Sequence, residues 1–161
     1  MGFRVYLETS FISACVTDRT DPGSVHRRNV SREWWETQAR RHVLFVSAEV
    51  IDELSQPGYR RSLEALSMIR EIPFLPITDW TLKLAALFVR EKVMPSPVAG
   101  DAVHVAVAAA HGVDYLVSWN VRHLANIRKM AHLREICRRK GVVSPLIVTP
   151  DLLWEVDHET N

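Results

Sequence analysis

The stretch that decides the fold runs from Pro97 to Ile127 and reads PVAGDAVHVAVAAAHGVDYLVSWNVRHLANI. Residues 102–110 are almost all Ala or Val, which leaves nearly no polar face and predicts a buried helix opened by Asp101. Gly112 is the residue type that ends helices in the left-handed conformation. The short apolar run Tyr115 to Ser118 predicts a buried strand. A buried helix followed by a buried strand is typical of a parallel α/β sheet.

Two polar side chains stand at the ends of these elements. Asp101 opens the helix, and Asn120 follows the strand just past its carboxyl end. In open α/β sheets, ligands bind outside the carboxyl ends of the strands. The alternative interpretation of Asp101 is a helix cap, because Asp at a helix N-terminus stabilises the helix by roughly 1 kcal/mol. Asp101 alone does not show whether it binds a ligand or only caps the helix. The other residues of the chain are needed to decide.

The remaining apolar runs predict four further strands, at Phe3–Leu7, Val43–Ser47, Pro73–Ile77 and Leu146–Val148. Between and after them, helical patterns begin at Phe11 and cover Val25–His42, Ala48–Gln56, Tyr59–Arg70, Asp79–Val93 and Arg122–Lys140, and a last short helix starts at Thr149-Pro150-Asp151. Two prolines place the strand at residues 73–77 on a sheet edge. Five strands alternating with helices predict a three-layer α/β/α fold with a mostly parallel sheet, in a single domain over residues 1–161.

Composition excludes several classes of protein. Hydrophobic residues make up 47% and charged residues 24% of the 161, which is typical of a globular domain. Cys15 and Cys137 stand far apart, without the spacing of a metal site or a disulfide framework. The chain carries no signal-peptide pattern and no apolar run of membrane-spanning length, so we expect a cytoplasmic protein that does not contact membrane. A net charge of +1 does not by itself indicate an anionic partner.

Acidic residues follow the other predicted strands as well. Glu8 comes directly after the first strand, and Thr9 and Ser10 add two hydroxyls. Either hydroxyl could simply cap the next helix, but that interpretation leaves Glu8 unexplained. After the second strand, Glu49 and Glu53 lie four residues apart on one helical face, where they form either part of a site or a solvated acidic turn.

These acids predict a divalent metal site. The chain has no Gly-rich dinucleotide loop, no Walker-type phosphate loop and no nucleophile elbow, and Glu8 stands where a phosphatase would need an Asp nucleophile. Carboxylates that converge without cationic partners repel one another, and binding Mg²⁺ or Mn²⁺ relieves that repulsion. Carboxylate-held metal ions also serve in-line hydrolysis of phosphodiesters.

Three motifs in this order, LETS, SAEVIDELS and GDAVHVAVAAAHGVDYLVSWN, resemble the PIN-domain ribonucleases, especially the VapC-like toxin branch. The resemblance covers the chain from Val5 to about Leu153, and the third motif is the specific one. It implies a metal-dependent endoribonuclease of a toxin–antitoxin pair that uses Mg²⁺ or Mn²⁺, forms a homodimer and binds an antitoxin protein.

Carried over position by position, the resemblance implies that the metal ligands are Glu8, Glu53, Asp101 and Asn120, with Ser10 as an accompanying hydroxyl. Asn120 and Ser10 would position the attacking water or the scissile phosphate. The first position is usually Asp, and Glu8 is longer by about 1.5 Å. The fourth is often Asp as well, and Asn120 keeps an oxygen ligand but drops a charge.

A basic segment follows the fourth position. The residues predicted to contact RNA are Arg122, Arg128, Lys129, Arg138, Arg139 and Lys140. Such a run is usually a solvated helix face, but here it begins two residues after Asn120, which favours a phosphate track leading to the site. Single-stranded or looped RNA is the natural substrate because its bases are accessible. We expect His104 and His123 to be structural or phosphate contacts rather than catalytic bases.

Three further questions stay open at this point. Trp34 and Trp35 belong either to the core or to a subunit interface, because indoles anchor both. One alternative function is a catalytically weak PIN-like module that binds RNA or a protein without cutting it. The other is a metal-assisted phosphohydrolase that acts on small molecules.

Overall fold

The computed structural model describes residues 2–124 and 126–157, and a parallel sheet lies at its centre. The strands in sheet order are β2 (Val43–Phe45), β1 (Arg4–Leu7), β3 (Tyr115–Val117) and β4 (Leu146–Val148). In the register, Tyr6 of β1 lies opposite Phe45 of β2 on one side and Leu116 of β3 on the other. The predicted α/β class with a parallel sheet is confirmed.

Helices flank this sheet. Their bounds are α1 Thr9–Val16, α2 Pro22–Thr37, α3 Ala48–Leu54, α4 Ser62–Met68, α5 Asp79–Arg90, α6 Asp101–Ala110, α7 Val121–Leu124 and α8 Ile127–Arg139. Two 3₁₀ turns lie at Ala39–Arg41 and Pro150–Leu152. Helix α5 packs against α6, while α1 packs against α2, α3 and α4. None of the helices in the described ranges has the length and apolarity that crossing a membrane requires.

The predicted strand at residues 73–77 is reduced to a single parallel bridge between Phe74 and Val46, beside β2. Two hydrogen bonds hold it: the Val46 amide donates to the Pro73 carbonyl at 3.1 Å, and the Leu75 amide donates to the Val46 carbonyl at 2.8 Å. Pro76 has no N–H with which to extend this pairing. The predicted count of five strands is therefore wrong, since the sheet in the described residues has four.

The predicted helix over Arg122–Lys140 is two helices, α7 and α8. Asn126 begins the second one, because its side-chain oxygen accepts a hydrogen bond from the Arg128 amide at 3.1 Å. Residue 125 falls outside the described residues. The helix predicted from Val25 to His42 also has different ends. It begins at Pro22, where Asp21 caps it by accepting from the Ser24 amide at 3.0 Å, and it stops at Thr37.

The core holds the apolar helix and one of the two tryptophans. Residues 102–109 of α6 are all buried, as their composition predicts. Trp34 has no exposed surface, its ring meets Phe11 edge to face, and its indole N–H donates to the Leu153 carbonyl at 2.7 Å. Trp35 is only half-buried. Trp34 is thus a core residue, and its hydrogen bond to Leu153 links the C-terminal segment to α2.

Candidate functional site

The carboxyl ends of β1 and β3 bring Glu8 and Ser118 together. The Glu8 amide donates to the Val117 carbonyl at 3.1 Å, which extends the ladder between the two strands by one residue. Glu8 is buried and caps α1, so α1 starts at Thr9 and neither Thr9 nor Ser10 is its cap. Carboxylate oxygen Oε2 of Glu8 accepts hydrogen bonds from the Ser10 amide at 2.9 Å, the Ser118 hydroxyl at 2.8 Å and the Ser10 hydroxyl.

The same two serines hold the chain that leaves β3. The Ser10 hydroxyl oxygen accepts from the Trp119 amide at 2.8 Å, and the Ser118 hydroxyl oxygen accepts from the Asn120 amide at 2.9 Å. The two hydroxyl oxygens lie 3.1 Å apart. This network fixes the backbone of Asn120 next to the N-terminus of α1, and Asn120 and Ser10 both line an open groove.

Glu53 reaches the same place from α3. Its Oε1 accepts a hydrogen bond from the Thr9 hydroxyl at 3.0 Å and is hydrogen-bonded to Nε2 of His104. His104 is completely buried on α6, and its Nδ1 lies 2.6 Å from the Tyr6 hydroxyl, which in turn lies 2.8 Å from the Ser47 hydroxyl. A chain of hydrogen bonds therefore runs from the core to the Glu53 carboxylate.

Burial and hydrogen bonding oppose each other in the ionisation of Glu53 and His104. Burial raises the pKa of the Glu53 carboxyl, but the hydrogen bond and charge of His104 and the Thr9 hydroxyl outweigh it, so the pKa lies below its usual value. Burial likewise lowers the pKa of the His104 imidazole, and the hydrogen bond to Glu53 and the charge of Glu8 reverse that shift. The net effect favours an ionised carboxylate beside an imidazolium.

Asp101 is the first residue of α6 and is not its cap. The cap position belongs to Gly100, whose φ of 55° lies in the left-handed region that favours glycine. The Gly100 amide donates to Oε1 of Glu49 at 2.6 Å, so Glu49 fixes the start of α6. The Asp101 carboxylate, although half-buried, has no hydrogen-bond partner within residues 2–124 and 126–157. The cap interpretation therefore fails for Asp101.

Electrostatics place Asp101 near the other acids. Burial raises the pKa of its carboxyl, the Glu53 charge adds to that, and the charges of His104, His123 and Lys129 oppose it without reversing the shift. The charges of Glu53 and His104 therefore act on the Asp101 carboxyl in opposite directions. Asp101 carries a charge that the protein itself leaves poorly stabilised.

Glu8, Glu53 and His104 form a cluster, which we call the Glu–Glu–His cluster, in which one ligand atom from each lies within 4.8 Å of the others. Oε1 of Glu8 and Oε2 of Glu53 accept no hydrogen bond in the described part of the chain. No Arg or Lys side chain there forms an ion pair with either glutamate. His104 is the one basic side chain of the described residues that contacts these two glutamates. Two carboxylates that share one imidazole, each with one free oxygen, fit a hard divalent cation. Asp101 is not part of this cluster.

The structure brings some of the predicted site residues into direct contact and leaves others beside them. Glu8 and Ser10 touch, and Glu53 joins Glu8 through the Glu–Glu–His cluster. The Asn120 backbone amide is hydrogen-bonded to the Ser118 hydroxyl of this region. Asp101 makes no hydrogen bond to these residues, but the charges of His104 and Glu53 act on its carboxyl. Sequence reasoning did not predict the contacts of His104 and Ser118. The signals were present, because His104 lies three residues after Asp101 on one face of α6, and Ser118 ends the apolar run of β3.

Cysteine chemistry plays no part in this region. Burial raises the pKa of the Cys15 thiol to about 12 and that of the Cys137 thiol to about 11. Both thiols therefore stay protonated near neutral pH and are poor nucleophiles.

Comparisons with known proteins give the relationship of the fold. No family model and no curated protein matches the sequence. VapC20 of Mycobacterium tuberculosis, a toxin that cleaves the sarcin-ricin loop, superposes with a TM-score of 0.57 at 20% identity, over 75% of this chain and 93% of its own. VapBC2 of Rickettsia felis, bound to a DNA fragment from its promoter, has a TM-score of 0.55 at 11% identity, over 90% of this chain and 97% of its own.

FitAcB of Neisseria gonorrhoeae is a third match, with a TM-score of 0.53 at 11% identity, over 91% of this chain and 97% of its own. All three likenesses are below 25% identity, and what they show is the shared fold. The matches cover between 93% and 97% of each of these chains. This chain has the PIN-domain fold of the VapC-like toxins.

Proposed function

We propose that this protein is a metal-dependent endoribonuclease that hydrolyses RNA phosphodiester bonds, and that it is the toxin of a toxin–antitoxin pair. One observation carries the proposal: Glu8 at the end of β1 and Glu53 on α3 converge without a Lys or Arg partner in the described residues, and the pKa of the nearby Asp101 carboxyl is raised by burial. The PIN-domain fold and the cleavage of the sarcin-ricin loop by VapC20 support an RNA substrate.

The residues divide the work as follows. Glu8, Glu53, Asp101 and Asn120 hold the metal through oxygen ligands, with Mg²⁺ or Mn²⁺ as the ions that such ligands suit. When bound, the ion neutralises charge on the phosphate oxygens and eases deprotonation of the attacking water. The Ser10 hydroxyl and the Asn120 amide group orient the water or the scissile phosphate at the mouth of the groove.

His104 serves as a positioning residue. It holds Oε1 of Glu53 and is held in turn by the Tyr6 hydroxyl, so the second carboxylate oxygen of Glu53 is presented in one direction. A buried histidine that orients a metal-ligating carboxylate is an outer contact of the kind that tunes metal sites.

Glu53→Gln tests the proposal, with Asp52→Asn as a matched control on the same helix. Gln keeps an oxygen ligand but loses the charge, so we expect at least about a tenfold loss of Mn²⁺-dependent cleavage of a looped RNA. Asp52 is exposed and one residue away, and its variant should cleave at the rate of the original protein. The measurement is the cleavage rate at equal folded concentration, with EDTA in parallel reactions.

Other outcomes favour the alternative functions. Binding of Mn²⁺ and RNA without cleavage would leave a catalytically weak RNA-binding module. Turnover of a generic small phosphodiester with no action on RNA would indicate a small-molecule phosphohydrolase. Cleavage that EDTA does not suppress, or that both variants retain in full, would contradict the assignment of Glu53.

We also propose that the protein forms a homodimer and binds an antitoxin protein. The likeness to VapBC2 and FitAcB supports an antitoxin partner. Trp35 and other half-exposed residues of α2, rather than the buried Trp34, are the candidates for a subunit contact. Light scattering at tens of micromolar protein should give twice the chain mass, about 37 kDa from the 18.4 kDa chain. A strict monomer at that concentration removes the dimer.

A further inference from the structure

An open groove of about 530 Å³ lies beside the candidate site, between the end of α1, the start of α2 and the segment that joins α3 to α4. Four arginines line it: Arg19, Arg27, Arg60 and Arg61. We call it the arginine groove. Ser10 and Asn120 also line it, so the groove is continuous with the oxygens that surround the Glu8 carboxylate. A chain lying in it would meet the candidate site at one end.

Two of the four arginines already have partners in the protein. Arg60 forms an ion pair with Asp18, which also lines the groove. Arg61 donates from Nε to the Val16 carbonyl at 2.9 Å, and its Nη1 lies 3.4 Å from Glu64. These contacts fix the two side chains along one wall of the groove.

The other two arginines of the groove have no carboxylate partner among the described residues. Arg19 and Arg27 are exposed, and within residues 2–124 and 126–157 neither side chain forms an ion pair or a side-chain hydrogen bond. The groove lining therefore has an excess of positive charge, four arginines against the single carboxylate of Asp18. Arginine is the residue type best suited to phosphate oxygens because its planar group can donate two parallel hydrogen bonds.

The basic residues of α8 are differently placed. Arg138 donates to Glu135 at 3.0 and 2.7 Å, and Arg139 donates to Glu91 at 2.9 and 3.0 Å. Each of these two charges is therefore already matched by a carboxylate of the protein. To bind Arg138 or Arg139, a phosphate would have to displace Glu135 or Glu91. At Arg19 and Arg27 it would displace no carboxylate.

We propose that the arginine groove binds the sugar-phosphate backbone of single-stranded RNA on its way to the candidate site, with Arg19 and Arg27 as phosphate contacts. The inference rests on the proposed ribonuclease function and names the path of its substrate. Two aromatic side chains, Tyr59 and Trp119, line the same groove. Aromatic rings between basic residues are how proteins bind single strands without regard to sequence, which favours RNA over an acidic peptide as the occupant.

The test is RNA binding by the double variant Arg19→Gln/Arg27→Gln, with Arg70→Gln/Arg90→Gln as a control that removes two charges from exposed arginines outside the groove. Fluorescence anisotropy with a short labelled single-stranded RNA is measured in EDTA, so that no cleavage interferes. We expect the groove variant to raise Kd about tenfold and to reduce the slope of log K against log salt by about 1.4, or 0.7 for each phosphate contact. The control should change Kd less than about twofold. Circular dichroism melts confirm that both variants are folded.

The remaining outcomes separate this inference from the proposed function. An equal loss in both variants, or unchanged binding in the groove variant, overturns the groove. The groove proposal is also overturned if the groove variant still binds RNA but no longer binds labelled polyglutamate. The occupant of the groove is then an acidic peptide. If the original protein binds RNA through the groove but does not cleave it with Mn²⁺, the groove stands and the ribonuclease proposal fails.

Discussion

Asp101→Asn is expected to reduce Mn²⁺-dependent RNA cleavage by about a hundredfold or more, equivalent to about 2.7 kcal/mol of lost transition-state stabilisation. The substitution keeps the size of the side chain and removes its charge. Because the carboxylate has no hydrogen-bond partner in the described residues, the change breaks no contact of the protein itself. Its effect should therefore fall on metal binding and chemistry rather than on folding.

Stability without metal should stay the same or rise slightly in this variant. Burial and the Glu53 charge disfavour the ionised form of Asp101, and removing the charge relieves both. The opposing loss is the interaction of a first-turn carboxylate with the helix dipole, about 0.3–1 kcal/mol. A thermal melt in EDTA measures the balance, and a melt with Mn²⁺ should show a smaller rise in Tm than the original protein gives.

Asp79→Asn is the matched control, because Asp79 is also the first residue of a helix, α5, and is exposed. It removes the same charge from the same helical position, outside the candidate site. Asp79→Asn should leave cleavage and the Mn²⁺-dependent rise in Tm unchanged. If the two variants cleave equally well, Asp101 is not a metal ligand, and the proposed set of four ligands is wrong at that residue.

Trp34→Ala is expected to lower the free energy of unfolding by about 3–5 kcal/mol, because Trp34 is the largest fully buried side chain and Ala leaves a cavity in its place. The variant also removes the donor to the Leu153 carbonyl and the edge-to-face contact with Phe11. The loss of that donor should loosen the C-terminal segment from α2. Urea denaturation measures the change.

Trp35→Ala is the control, because it makes the same Trp-to-Ala change at the neighbouring, half-buried position. Trp35 is half-buried and tilted against Phe11 at a centroid distance of 6.5 Å, so its truncation should cost about 1 kcal/mol. Similar losses in the two variants would show that Trp34 does not anchor the core. A large loss at Trp35 that depends on protein concentration would instead indicate a subunit interface.

Much of the fold was predictable because its main signals are local. The Ala- and Val-rich run of α6 and the apolar runs of β1 and β3 gave correct elements. The predicted strand at residues 73–77 failed because pairing depends on a distant partner, and the chain after Val46 turns into α3. The break between α7 and α8 escaped detection because no Gly or Pro marks it, and Asn126 caps α8 within a continuous amphipathic pattern.

The acids of the candidate site and the Ser10 hydroxyl that contacts Glu8 could be predicted from the sequence. Glu8 drew attention because a carboxylate directly follows the first predicted strand, whereas Glu49 and Glu53 stayed alternatives until the resemblance to PIN-domain ribonucleases favoured Glu53. His104 and Ser118 were missed as partners, because their contacts depend on how α6 packs and on the register that sets Leu7 opposite Val117. The arginine groove was missed for the same reason, since its arginines come from two segments about forty residues apart in the chain.

The order of the sheet has a consequence for synthesis of the chain. β1 lies in the interior of the sheet, yet its neighbour β3 is translated more than a hundred residues after it, and Ser118 follows Glu8 by 110 positions. Pairing of such distant segments is slow, and β3 is out of reach until late in translation. A nascent chain that stops before Ser118 keeps the Ser10 donors to the Glu8 carboxylate but lacks the Ser118 hydroxyl and the pairing of β1 with β3. Under the proposed function, we therefore expect products that stop before β3 to be inactive.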